Sequence, residues 1–249
     1  MVRLTIDGKV VEAKKGTSIL HAAESVGIKI PTLCYIKDLL PDGSCRMCMV
    51  EIENRGRTKM ETACTAQVAE GLVVTTNSEK VRNARRNILD MLLSNHKTDC
   101  FSCPSNGDCK LQELCFEYGI ERTTYSGEQT ELPIDDSNKF FTYNPNLCIL
   151  CHRCVNTCHK IVGRGAIDTM ERGFDSAIGT PFHIDWADTN CESCGNCVQA
   201  CPTGALTMKR RKNYRKYQID KKVLTTCPHC ATGCQYYLLV KDNRIVDVE

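Results

Sequence analysis

Nothing in the sequence offers a foundation for membrane passage, secretion or substrate chemistry. No run approaches the roughly 18 apolar residues of a membrane-spanning helix. The opening segment, MVRLTIDGKVVEAKKG, lacks the apolar core that a secretory signal requires. There is no GxGxxG after a predicted strand, no P-loop, and no serine or cysteine nucleophile with an evident base beside it. Charge of one sign is not in excess either. The 32 Lys and Arg against 30 Asp and Glu leave a formal net charge of +2, which argues neither for nor against nucleic acid. The expectation is a cytoplasmic chain with no membrane span and no catalytic residue of its own.

What is present is cysteine. Nineteen occur in 249 residues, in groups with short internal gaps that suit metal binding better than disulfides between distant loops. Two groups repeat one spacing. Cys148, Cys151, Cys154 and Cys158 read C-x2-C-x2-C-x3-C, and so do Cys191, Cys194, Cys197 and Cys201, the last followed by Pro202. A cubane needs four thiolates, three from a tight loop and one from a distant segment, and in two-run arrangements the fourth Cys of each run serves the other cluster. The prediction is Cys148, Cys151, Cys154 and Cys201 on one [4Fe–4S] cluster, and Cys191, Cys194, Cys197 and Cys158 on a second. Paired zinc knuckles are the bland alternative. Two full four-cysteine runs of identical spacing argue against it.

The chain divides by pattern into an α+β, modular protein. In residues 1–77, Val2, Leu4 and Ile6 alternate with polar residues, Asp7-Gly8 offers a hairpin turn, and Val10-Val11 begins a return strand. Thr17 or Ser18 can cap a short helix that Gly27 ends. Then come Cys34, Cys45, Cys48 and Cys64, separated by ten, two and fifteen residues. Four thiolates over a long loop suit a [2Fe–2S] rhomb, with two per iron, although spacing alone leaves a zinc ribbon open.

Residues 78–118 hold an amphipathic helix over 78–94, with Val81, Ala84, Ile88, Met91 and Leu92 on its apolar face and Arg82, Arg85, Arg86 and Asp90 toward solvent. His96, Cys100, Cys103 and Cys109 follow at H-x3-C-x2-C-x5-C. As residues, these could bind zinc or complete a cluster in which a neutral imidazole replaces a thiolate and raises its potential. Cys115, on the helix-like KLQELCFEYG, reads as a small buried apolar residue.

Residues 119–142 show no period and are expected to be a surface connection. Residues 143–208 form the two-cluster ferredoxin-type module, and the 32 residues between Cys158 and Cys191 are expected to add turns and short strands over the clusters. His152 reads as a hydrogen-bond donor near a cluster or a surface residue. Residues 209–222 carry Lys209, Arg210, Arg211, Lys212, Arg215, Lys216, Lys221 and Lys222 against one acid. Tyr214 and Tyr217 interleave them, yet beside a cluster module a solvated linker or a docking face for an acidic partner is the better reading than nucleic acid. Residues 223–249 place Cys227, Cys230 and Cys234 before a hairpin turning near Asp242-Asn243. No fourth cysteine follows, so His229, Cys115 or a partner would have to complete a site there.

Several of these segments resemble known families. P31-T-L-C34-Y with G43-S-C45-R-M-C48-M-V-E51 resembles the β-grasp [2Fe–2S] domain that opens the iron–sulfur subunit of respiratory NADH dehydrogenase. N95-H96-K-T-D-C100-F-S-C103-P-S-N-G107-D-C109-K-L-Q112-E-L is similar to the histidine-ligated [4Fe–4S] segment of NADH dehydrogenase and [FeFe]-hydrogenases. C227-P-H-C230-A-T-G-C234 is similar to the cluster-binding opening of molybdopterin oxidoreductases such as formate dehydrogenase. Their order resembles the N-terminal half of the large iron–sulfur subunit of NADH dehydrogenase, NAD(P)-linked [FeFe]-hydrogenase and NAD-dependent formate dehydrogenase.

The resemblance implies one [2Fe–2S] cluster, three [4Fe–4S] clusters and a candidate fourth [4Fe–4S] at Cys227, Cys230 and Cys234. It also implies a hetero-oligomer with a flavoprotein that oxidises NAD(P)H and a thioredoxin-like [2Fe–2S] subunit, with soluble ferredoxin as a further partner. The leading expectation is an electron-wiring subunit, in a bifurcating complex or otherwise. The alternatives are the detached relay part of a formate dehydrogenase or hydrogenase whose active site lies on another chain, and a zinc-binding interaction protein.

Overall fold

The computed structural model describes residues 1–249, the side chains of 212 and 213 excepted. Strands β1 (Val2–Ile6) and β2 (Lys9–Ala13) pair antiparallel. Asp7 and Gly8 both take positive φ, the geometry a two-residue hairpin of this hand needs. Period-two alternation turns Leu4, Ile6, Val11 and Ala13 to one face. Helix α1 (Ile19–Ser25), capped by Ser18 accepting from the His21 N–H, lays Ile19, Leu20, Ala22 and Ala23 into the same core. Strands β3 (Met49–Asn54) and β4 (Arg57–Thr62) form a second hairpin, and β5 (Val73–Thr75) inserts between the two hairpins. The sheet order is β2-β1-β5-β3-β4, with β1 and β5 parallel and the other pairs antiparallel.

Helix α2 (Glu79–Ser94) starts at Ser78, whose hydroxyl accepts the Val81 N–H. Its extent matches the periodicity, but the buried face does not. Val81, Arg85, Leu89 and Leu93 point inward, Ala84, Ile88 and Leu92 flank them, and Met91 is 59% exposed. Arg85, expected in solvent, is 3% exposed, because it donates to the Met49 carbonyl (2.7 Å) and the Tyr118 hydroxyl (3.0 Å). Helix α3 (Lys110–Glu117) packs against α2 through Leu111, Leu114 and Cys115, so Cys115 is the buried apolar residue expected.

Residues 119–140 run without helix or strand. Strand β6 (Phe141–Tyr143) then pairs antiparallel with β9 (Leu206–Met208), closing the two ends of one module. Between them lie α4 (Arg153–Asn156), a π-helical turn at Thr157–Val162, the hairpin of β7 (Asp168–Met170) and β8 (Ala177–Gly179), and α5 (Asn196–Ala200). Trp186 is buried against the ring edges of Phe141 and Tyr143, with centroids 5.3 and 5.2 Å away.

The chain ends in a meander of β10 (Lys221–Thr226), β11 (Gln235–Lys241) and β12 (Arg244–Val248), turning at Asp242 and Asn243 as expected. Part of the basic stretch before it is engaged within the chain, while Arg210, Lys221 and Lys222 stay exposed. Lys209 pairs with Asp136 (3.4 Å), Arg210 with Asp247 (2.5 Å), Arg211 with Asp108 (2.7 Å), and Lys216 with Asp108 and Glu249 (both 3.1 Å). Tyr214 is buried and donates to Asp247. The acidic counterpart lies within the same chain, and the Lys212 side chain falls outside the described residues. No helix among the described residues is long and apolar enough to cross a membrane.

Candidate metal centres

The fold gathers the N-terminal quartet in two pairs. Cys34, Cys45, Cys48 and Cys64 are all buried, the first two on the turn leaving α1 and the loop before β3, the others at the facing ends of β3 and β4. The Cys48 and Cys64 sulfurs lie 3.3 Å apart, and the Cys34 N–H donates to the Cys45 sulfur at 3.3 Å. The Cys45 thiol holds Cys34 down to about 5 by hydrogen bonding, while Cys45 itself is pushed up. Cys64 likewise holds Cys48 down and is pushed up in turn. Two buried pairs, in each of which hydrogen bonding lowers one thiol and, with burial, raises the other, are the donor set that a binuclear cation would complete.

His96 is buried at the C-terminal end of α2, and its Nδ1 has no hydrogen-bond partner. Burial holds its imidazole below the usual range, leaving it neutral with a lone pair available. Cys100, Cys103 and Cys109 interact electrostatically with one another, and burial pushes Cys109 up to about 11. Cys103 also meets the next module closely. A Cβ on Gly204 would lie 2.6 Å from the Cys103 sulfur, so glycine there is a condition of the approach.

In the third region the structure brings together the crossed sets. Cys148, Cys151, Cys154 and Cys201 line one cavity with Tyr143 and Ile178. Cys158, Cys191, Cys194 and Cys197 line another with Arg164 and Trp186. The short gaps can wrap a site because of local backbone choices. Leu150 and Ser193 take left-handed φ (51° and 55°) at matching places, and so do His152 and Gly195 (59° and 77°). For an L-residue that conformation costs roughly 1–2 kcal/mol. It aims the Leu150 N–H at the Cys148 sulfur and the Ser193 N–H at the Cys191 sulfur, both at 3.4 Å. The Ala166 N–H donates to Cys158 (3.3 Å) and the Asn196 amide to Cys194 (3.4 Å).

Burial pushes Cys148, Cys151 and Cys197 up to about 12, and raises Cys154 well above the usual thiol range. Four thiolates in one such cavity therefore require a compensating cationic core. That requirement, together with the orphaned His96 nitrogen, is the fit these residues offer an iron–sulfur group. No three His, Cys, Asp or Glu among the described residues close around a single-ion position.

Cys227, Cys230 and Cys234 lie on the loop joining β10 to β11, where Cys230 and Cys234 are exposed. The Cys227 N–H donates to the Cys234 carbonyl (2.7 Å) and Cys230 to the Thr232 hydroxyl (3.3 Å). Cys115 does not join them, since it belongs to the α2–α3 core; His229 lies on the same loop, exposed like Cys230 and Cys234. His152 is half-buried and lines the Cys148 cavity.

Sequence reasoning missed Arg85, Tyr143 and Arg153, all of which reach toward cysteine-bearing segments. The Tyr143 hydroxyl donates to the Ile178 carbonyl (2.5 Å) at the cavity wall. Tyr143 ends β6 just before Cys148, outside the cysteine spacing, and left no periodic or motif signal.

These sites define an iron–sulfur protein assembled from 2Fe–2S and 4Fe–4S binding domains. Residues 1–79 match the 2Fe-2S iron-sulfur cluster binding domain, and 85–124 match the NADH-ubiquinone oxidoreductase-G iron-sulfur binding region. Residues 140–207 match the ferredoxin-like domain of NADH-quinone oxidoreductase subunit 3, and 190–237 match a 4Fe-4S dicluster domain. The chain is 42% identical over 98% of its length to the NADPH-Fe(3+) oxidoreductase subunit alpha of Geobacter sulfurreducens, covering 28% of that protein. To the NADP-reducing hydrogenase subunit HndD of Solidesulfovibrio fructosivorans it is 39% identical over 83% of this chain and 36% of that one.

A chain in the crystal structure of an NAD+-reducing [NiFe]-hydrogenase in the H2-reduced state superposes with a TM-score of 0.77. Identity is 30%, with 84% of this chain and 87% of that chain covered. The chain belongs to the family of the NADH dehydrogenase large iron–sulfur subunit and its counterparts in NAD(P)-linked hydrogenases. It spans about 28% of the length of the curated relatives matched first.

Proposed function

We propose that this chain is the electron-relay subunit of a cytoplasmic, flavin-dependent NAD(P)H-linked oxidoreductase complex. The observation that carries the reading is the crossed convergence of two four-cysteine runs on two neighbouring cavities. In this reading Cys34, Cys45, Cys48 and Cys64 hold a [2Fe–2S] cluster on the β-grasp unit. His96, Cys100, Cys103 and Cys109 hold a [4Fe–4S] cluster. Cys148, Cys151, Cys154 and Cys201 hold a third centre, and Cys158, Cys191, Cys194 and Cys197 a fourth. Cys227, Cys230 and Cys234 are the candidate ligands of a further cluster whose remaining ligand comes from outside the described triad.

When bound, such clusters supply one-electron storage at potentials set by ligand type, hydrogen bonding and exposure. The chain's own part is to fix and tune. The N–H groups of Leu150, Ser193 and Ala166 stabilise sulfur-borne negative charge, and the neutral His96 leaves its site less negative than a fourth thiolate would. One buried assembly of side chains includes Cys34, Cys45, Cys115 and Cys151, with Cys109 packed against it, so three sites share a dry interior.

The proposed partners are a flavoprotein that oxidises NAD(P)H, a thioredoxin-like [2Fe–2S] subunit and soluble ferredoxin, the last exchanging electrons at the Cys148–Cys201 module. The test is anaerobic mixing of the chain with NADH or NADPH. The visible absorbance should stay oxidised until the flavoprotein is added and bleach afterwards. Bleaching by the nucleotide alone, or none with the flavoprotein present, would remove the proposal.

A further inference from the structure

Arg153 lies between two ligand segments that are far apart in sequence. Its Nη1 donates to the Tyr35 carbonyl and its Nε to the Ala200 carbonyl, each at 2.6 Å. Tyr35 follows Cys34 and Ala200 precedes Cys201. The same side chain leaves the backbone between Cys151 and Cys154. One guanidinium therefore touches the peptide units beside a ligand of the N-terminal quartet and beside the ligand that crosses into the Cys148 cavity.

The junction is reinforced. Ser44 donates to the Cys151 carbonyl (3.4 Å), Asn156 donates to Asp42, and Lys160 pairs with Asp42 (3.6 Å). Tyr35 is held on its far side by His21, through its hydroxyl and an edge-on ring contact. Arg153 itself is half-buried, and among the described residues no ion pair to it is found; its two acceptors are neutral carbonyls. A guanidinium stays protonated throughout, so the junction carries a permanent positive charge with limited solvent screening.

We propose that Arg153 is a positioning residue that joins the Cys34/Cys45/Cys48/Cys64 and Cys148/Cys151/Cys154/Cys201 sites into one electron-exchanging pair and raises both potentials. The inference rests on the cluster reading given above. Either site becomes more negative by one charge when it takes up an electron, and a nearby fixed cation favours that state. In exchange between the two, one site loses one electron and the other gains it. The fork matters as well as the charge, because two bonds from one planar group set the spacing of the two ligand segments. A lysine offers the charge without the fork.

The experiment uses the full chain with Arg153→Gln and Arg153→Lys, analysed for iron and sulfide and titrated potentiometrically under electron paramagnetic resonance. Exchange within the pair is timed after pulsed reduction. Arg153→Gln should lower both potentials of the pair and leave the His96 and Cys158/Cys191/Cys194/Cys197 centres in place. Arg153→Lys should keep the potentials near the wild type and slow the exchange. If Gln abolishes folding, the Lys variant alone decides through that split. Unmoved pair potentials in Gln with full iron content, equal shifts of all four centres, or wild-type exchange in Lys would overturn the assignment. Wild-type protein without iron and sulfide would instead bring down the cluster reading itself.

Discussion

The first and last cysteine groups of the chain are the same chemical groups in opposite surroundings. Cys34, Cys45, Cys48 and Cys64 are closed in by the sheet, α1 and the α2–α3 pair. Cys227, Cys230 and Cys234 ride on a hairpin loop, held by one backbone hydrogen bond and one hydroxyl. The C-terminal three share one short loop, whereas the N-terminal four are drawn together from separate segments flanking β3 and β4. Enclosure comes only where distant segments supply walls, as Cys64 does from the end of β4 and Cys151 from the ferredoxin-type module. A thiol set without walls faces competing water and oxidants.

The largest effect is expected from the enclosed set. Cys48→Ser should eliminate the [2Fe–2S] signal and about two irons per chain, whereas Cys230→Ser should leave the signals of the other sites intact. Iron analysis with electron paramagnetic resonance reads both. Next, Arg85→Ala removes donors to the Met49 carbonyl and Tyr118 at the floor of the quartet. Leaving that carbonyl buried and unpaired should cost roughly 1–3 kcal/mol, visible as a lowered denaturation midpoint.

Gly204→Ala forces a methyl group against the Cys103 sulfur. Overpacking of this kind costs about 1–3 kcal/mol, and the His96 centre should be lost or altered while the [2Fe–2S] signal survives. In metal-free protein, alkylation followed by mass spectrometry should label Cys230 and Cys234, with the equally exposed Cys100 and Cys194, before the buried N-terminal quartet; the reverse order would mean that enclosure does not separate the two groups. The smallest effect belongs to His152→Gly, which relieves a left-handed backbone and should stabilise by no more than about 1 kcal/mol.

What could be read from the sequence was local. The repeated C-x2-C-x2-C-x3-C marked two like turns because its short gaps dictate them, and the left-handed residues sit at the same steps in both runs. Hairpin turns at Asp7-Gly8 and Asp242-Asn243 were equally legible, since the side chains that tolerate positive φ announce them. Long-range pairing was not. The helix over 79–94 was recognisable, yet its inward face was displaced by Arg85, whose acceptors lie 36 and 33 residues away. The basic run at 209–222 looked available because Asp108, more than one hundred residues earlier, carries no signal that it pairs with Arg211 and Lys216. Arg153 sits inside a metal-binding motif as an ordinary spacer until the fold brings Tyr35 and Ala200 to it.

The central claim is that these cysteines enclose iron–sulfur cores and so carry single electrons. Iron and acid-labile sulfide per chain, measured on anaerobically purified protein and paired with spectra of the reduced state, test it most directly. Roughly fourteen irons are expected from one binuclear and three tetranuclear centres, rising to roughly eighteen if the C-terminal triad is filled, with reversible reduction. Colourless protein containing zinc, no sulfide and no reducible signal would contradict it.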